Sequence, residues 1–182
     1  MNFSAGLFFL LFMASPACAP AKEQPMKTKA TLSEAAKYEI PKGWGEEFAA
    51  NQGDPQAVVT RDLHKLKVRL SGGPGSRYKS SGAFLSGFEA LSQGGKKADI
   101  TGFITVSGAR VLLYRREVPV SLPDPDTGGP STFAQEEFCV VPAGKLFFVL
   151  SYSYGDSIPD ASYDGPAAWR QFLKTFRVLK VK

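Results

Sequence analysis

Two apolar runs, residues 133–141 and 146–154, are separated only by Pro142, Ala143, Gly144 and Lys145. No other feature of the chain constrains its fold as tightly. Four residues can join antiparallel neighbours, but a parallel crossover needs roughly a dozen. Residues 100–106 and 110–118 repeat the arrangement around Ser107, Gly108 and Ala109, which reads as a second hairpin. A sheet built from such pairs is antiparallel, and helices in the remaining sequence must pack on its faces.

The rest of the chain supplies more strands and two helices. Residues 46–50 and 57–61 read as short strands around the turn-rich stretch Asn51-Gln52-Gly53-Asp54-Pro55. In residues 63–70, His64, Leu66, Val68 and Leu70 share one parity, while Lys65, Lys67 and Arg69 share the other. That alternation gives a strand with one buried face, and His64 begins on the apolar side. Phe84, Leu85, Phe88 and Leu91 form one stripe, which predicts a helix over about residues 81–93, capped by Ser80 or Ser81 and stopped at Gly94-Gly95. Trp169, Phe172, Leu173 and Phe176 predict a last helix over about residues 166–176, with Pro166 in its first turn. Residues 178–181 suit an edge segment. The expected fold class is α+β: a mainly antiparallel β-sheet flanked by helices.

At the N-terminus, residues 7–13 are an unbroken apolar run followed by Ala14, Ser15, Ala17, Ala19 and Ala21. A membrane-spanning helix needs about 20 apolar residues. The run instead suits a secretory signal peptide over residues 1–21, cut after Ala21. An exported protein, periplasmic or secreted, is therefore expected. Cys18 offers an alternative: within Ser15-Pro16-Ala17-Cys18 it approximates a lipobox, which would anchor the protein to a membrane. Residues 22–37 read as a flexible leader in which residues 31–36 could form one helical turn. Residues 38–182 then form a single α+β domain.

Tyr38-Glu39-Ile40-Pro41-Lys42-Gly43-Trp44 reads as a short strand running into a turn. This run resembles the opening strand of PsbP-like domains, and Trp169-x-x-Phe172-Leu173-x-x-Phe176 is similar to their closing helix. The resemblance covers roughly residues 38–178. Its small exported bacterial members have no known role. It implies an αβα sandwich and a binding or accessory role rather than a catalytic one. No functional residue is carried over from it.

Composition narrows the chemistry. A single histidine excludes a multi-histidine metal site, and two cysteines exclude a disulfide scaffold or a zinc site made of cysteines. Cys139 and His64 could make a thiol–imidazole pair, but Cys139 sits in mid-strand, away from any helix terminus that would stabilise a thiolate. Gly72-Gly73-Pro74-Gly75-Ser76-Arg77-Tyr78 lacks the spacing of a phosphate-binding loop. Asp124, Asp126, Asp156, Asp160 and Asp164 lie in two loops without the ligand spacing of a calcium site. Arg115-Arg116 and Glu136-Glu137 are expected to pair across neighbouring strands. No catalytic residue, metal or cofactor is assigned.

The net charge is +5. Nucleic acid is not an expected partner of an exported chain, and a membrane is expected only if Cys18 is lipidated. The leading expectation is a non-enzymatic binding domain for a protein or envelope component. Its candidate binding residues are Lys65, Lys67, Arg69, Ser76, Arg77 and Lys79. The alternatives are a hydrolase with a site built from loops, and a small-molecule carrier with an aromatic pocket made by Phe147, Tyr152, Tyr154 and Trp169.

Overall fold

In the computed structural model, residues 23–119, 133–155 and 163–179 are described. Seven strands form one antiparallel sheet: β2 (Gly45–Asn51), β3 (Asp54–Arg61), β4 (His64–Ser71), β5 (Asp99–Val106), β6 (Ala109–Pro119), β7 (Phe133–Ala143) and β8 (Leu146–Gly155). Their spatial order is β2-β3-β4-β8-β7-β6-β5. Two meanders, β2-β3-β4 and β5-β6-β7-β8, therefore meet along the single pair β4–β8. Two short strands, β1 (Ala36–Lys37) and β9 (Arg177–Val178), pair antiparallel in a separate small ladder. The α+β class with a mainly antiparallel sheet is as expected.

Both hairpins anticipated from spacing are present. Ser107 and Gly108 take φ of 51° and 81°, the twist that a tight two-residue turn needs. The break between β2 and β3 is shorter than expected. Gln52 and Gly53 alone make the turn, and Asp54 and Pro55 already belong to β3.

The sheet has two faces of different character. On the front face, Leu66, Val68, Cys139, Val141, Phe148 and Leu150 are buried beneath helix α3 (Gly165–Thr175) and helix α1 (Glu23–Ala35). Helix α3 contributes Trp169, Phe172 and Leu173, and Phe176 follows at its end, so the apolar stripe lies where its spacing placed it. Asp164 caps the helix, its Oδ1 accepting from the Ala167 N–H at 2.8 Å.

Other expectations need correction. The flexible leader expected over residues 22–37 is not found in its described part, residues 23–37. Helix α1 occupies most of that span and buries Thr28, Leu32 and Ala35, with Ala36 of β1 buried directly after it. The sequence hid this helix because its apolar positions are small and sparse among lysines, so tertiary burial rather than an amphipathic stripe holds it. Nor does a continuous helix span residues 81–93. Helix α2 (Ser81–Ser86) is capped by Ser80 and ends at Gly87, and 3-10 turns follow at Phe88–Ala90 and Gln93–Gly95. Gly87 is extended, and the Tyr78 ring lies where its Cβ would sit. The apolar stripe is consequently broken: Phe84 is buried against Tyr78, Phe138 and Phe147 on the back face, whereas Phe88 is 76% exposed.

Residues 38–40 do not form a strand. The Tyr38 ring instead stacks on Phe176, and its hydroxyl donates to Glu46 Oε1 at 2.7 Å.

Candidate functional site

Strand parity sends Lys65, Lys67 and Arg69 to the back face of β4, opposite the buried Leu66, Val68 and Leu70. Helix α2 is too short to cover that face completely. Between β4, β8, β7 and β6 it leaves a cleft of about 290 Å³, lined in part by Lys67, Arg69, Arg116, Glu89, Glu136 and Ser151. Asn51, Gln52 and Gln56 reach it from β2, β3 and the turn between them.

Glu136 is the hub of this cleft. Its side chain is only 2% exposed, so its charge must be compensated. Arg116, directly opposite in the β6–β7 register, donates through Nε at 2.8 Å and also through Nη2. Ser151 donates to Oε1 at 2.9 Å, and Lys67 reaches the same oxygen at 3.4 Å. Burial by itself pushes the Glu136 carboxyl up. The charges of Arg116 and Lys67 and the hydrogen bonds from Arg116 and Ser151 more than reverse that, so the group sits below its ordinary value and stays ionised. The cross-strand pairing expected for Arg115-Arg116 with Glu136-Glu137 is present in both halves. On the front face Arg115 and Arg170 of α3 grip Glu137 at 2.9 and 3.1 Å.

Arg69 is buried, not displayed. It lies 3.9 Å from Asp54 and pairs closely with Glu89 from the 3-10 turn after α2, with its guanidinium 5.2 Å from the Phe84 ring centre. Lys67 keeps 35% of its side-chain surface, and Lys65 is exposed. The neighbouring loop is tied inward. Ser76 Oγ accepts from the Gly72 N–H and donates to the Tyr78 carbonyl, both at 3.0 Å. Lys79 donates to the carbonyls of Gly73 and Pro74. Arg77 donates to Gln52 Oε1 at 3.3 Å and stands 3.6 Å from Glu89, which brings it to the rim of the cleft. The structure thus gathers Lys67, Arg69 and Arg77 around one cleft, and it gives Ser76 and Lys79 the task of shaping the loop.

Sequence reasoning missed Arg116, Glu136 and Ser151 as parts of this site. A signal existed: Glu136 and Glu137 interrupt one of the two most apolar strands, and one of two adjacent residues in a strand must face each side.

The other candidates separate. Cys139 lies opposite Leu150 on β8, while His64 lies opposite Tyr154, four residues further along, on the order of 13 Å away. His64 Nδ1 is 2.9 Å from the Tyr152 hydroxyl. Burial pushes the Cys139 thiol up to about 12, only partly opposed by Arg170, so it is a protonated core group and not a nucleophile. Of the four aromatic residues weighed as a carrier pocket, Tyr152 and Trp169 are buried in the front core, Phe147 belongs to the back-face cluster, and Tyr154 is partly exposed. They do not line one cavity. Asp164 is a helix cap; Asp124, Asp126, Asp156 and Asp160 lie outside the described residues, as do the signal-peptide stretch and Cys18. Among the described residues, no group of three or more acidic, histidine or cysteine side chains is placed to hold a metal, and no helix is long and apolar enough to cross a membrane.

No known family profile matches the chain, and no curated protein does. A solved structure from Bacteroides thetaiotaomicron VPI-5482 is similar over 80% of this chain and 45% of its own, at 12% identity and a TM-score of 0.46. The chain therefore spans less than half the length of that structure.

Proposed function

We propose that this protein is a non-enzymatic binding domain, exported to the cell envelope or beyond, that captures a protein or envelope component through the back-face cleft. One observation carries the reading: Lys67, Arg69 and Arg116 line an open cleft with Glu136 and Glu89, Asp54 lies behind Arg69, and the excess positive charge comes from the residues around its rim. Lys65 and Arg77 add positive charge at or near its rim. Such a surface suits a partner that presents carboxylates, and steers it by complementary charge. The separation of Cys139 from His64 supports a role without covalent catalysis. Helices on both faces of the sheet support the PsbP-like αβα arrangement.

Export is part of the same proposal. Helix α1 starts at Glu23, so removal of residues 1–21 would leave the whole described core intact. An intact-mass measurement on the mature endogenous protein distinguishes the routes. A chain starting at Lys22 supports a soluble exported domain, a lipid on Cys18 supports the anchored form, and an uncleaved chain sinks both.

Titration calorimetry with a glutamate-rich peptide tests the cleft. The double variant Lys65→Glu, Lys67→Gln should bind at least about tenfold more weakly at low salt. Unchanged affinity would remove this surface from consideration, and turnover of ester, peptide or phosphate substrates by the pure protein would replace binding with hydrolysis.

A further inference from the structure

Among the described residues, strand β5 forms one end of the sheet and pairs only with β6, so one row of its backbone donors and acceptors has no ladder partner there. Exposed edges of this kind are normally blunted by charge, proline or a covering element. The opposite edge, β2, follows that rule: it carries Glu46 and Glu47, and α1 packs beside it. Strand β5 follows it less completely: helix α3 touches it more sparsely than α1 touches β2, and after Asp99 at its start, residues 100–106 (Ile-Thr-Gly-Phe-Ile-Thr-Val) include no charge and no proline. One irregularity, between Ile100 and Gly102, leaves the run from Phe103 to Val106 in regular register. Ile100 and Phe103, both large and apolar, are 60% and 61% exposed.

Two further features adjoin this edge. On the back face, an apolar groove of about 390 Å³ opens beside the start of β5, lined by Leu85, Leu91, Ile100, Tyr114 and Phe138, with Lys97 as its one charged lining residue. It exists because α2 stops at Ser86 and does not extend over β6. The second feature is charge. Lys96 and Lys97 are exposed at the entrance to β5, Asp99 beside them is matched by Arg115 opposite it in the register, and the Arg110 guanidinium lies 4.3 Å from the Phe103 ring centre. Free main chain, a side-chain pocket and flanking cations together are the components of recognition by strand addition.

We infer that β5 is a docking edge for an extended peptide segment of another protein, one that alternates apolar with polar residues and carries carboxylates at its ends. The peptide adds a strand to Phe103–Val106, places an apolar side chain in the groove against Ile100 and Tyr114, and sets its carboxylates near Lys97 and Arg110. A second copy of this chain fits less well. An antiparallel two-fold pairing centred on Phe103 would bring Lys96 and Lys97 of one copy onto the end of β5 near Arg110 of the other, like charge against like. The edge is separate from the cationic cleft, so either can fail without the other.

The probe is a short synthetic peptide of alternating valine and threonine with glutamate–aspartate ends, followed by amide hydrogen exchange and by titration calorimetry on the full chain. Binding should slow exchange at Phe103 and Thr105. Thr105→Pro should abolish it. The double variant Lys96→Glu, Lys97→Glu should weaken it at least about tenfold. Both substitutions fall on exposed residues, and a thermal melt verifies that each variant is folded. The same peptide with lysine ends should bind worse than the acidic one, and the cleft variant Lys65→Glu, Lys67→Gln should bind the acidic peptide as the wild type does. The inference is overturned by no binding, by binding without protection of β5, by equal binding of the lysine-ended peptide, or by self-association of the chain through β5 in sedimentation.

Discussion

At the scale of single residues, Glu136 and Cys139 show how neighbouring positions on one strand acquire opposite chemistry. Glu136 faces Arg116, Lys67 and Ser151; Cys139 faces the apolar front core. Glu136→Ala leaves Arg116 and Lys67 around an uncompensated cavity and should cost on the order of 3 kcal/mol in urea unfolding. Because the folded-state value of Glu136 lies below the ordinary 4.5, its contribution is present above that pH and is lost as pH falls through the lowered value. The wild type should therefore lose stability on acidification more steeply than Glu136→Gln, which urea midpoints at a series of pH values will resolve. Cys139 should resist a thiol reagent at pH 8 until the protein unfolds, since burial keeps its thiol protonated; rapid native labelling would contradict its placement. The charge pairing of these strands was legible from their residue types. The cleft was not, because it depends on four strands brought side by side.

Elements were legible where their pattern was strong and local. The two hairpins follow from the spacing of their turns, and α3 from four large apolar residues on one face. Helix α1 was hidden because its stability comes from distant partners: Leu32 and Ala35 bury against sheet and helix residues far along the chain. Leu32→Ala should cost about 2–5 kcal/mol, the range for a buried leucine, although the sequence alone assigned that residue to a leader. A close approach constrains the start of α3. A Cβ at Gly165 would overlap the Tyr152 hydroxyl and the His64 ring, so Gly165→Ala must displace either the helix or both side chains. The melting temperature should fall by several degrees, and His64→Ala should restore part of the loss by making room. Helix α2 illustrates the reverse error: a helical stripe was present in the sequence, but Gly87 and the Tyr78 ring ended the helix after Ser86.

At the scale of the whole molecule, the sheet is two locally connected meanders that share one pair of strands. Within each meander, neighbours along the sheet are also neighbours along the chain, and all but β6 and β7, which residues 120–132 separate, are joined by short turns. The β4–β8 pair is different: Ser71 lies opposite Phe147, and His64 opposite Tyr154. Closing that seam brings together segments separated by all of α2, β5, β6 and β7. Hairpins form in roughly microseconds, whereas long-range pairing must first overcome the entropy of a large loop. Assembly of this protein should therefore be limited by closure of that one pair of strands. Each meander can form early and remain incomplete, with the hydrophobic side of β4 or β8 still open to water. During that interval the chain is vulnerable to pairing with the wrong strand, and the exposed side of either meander is where that mistake would begin.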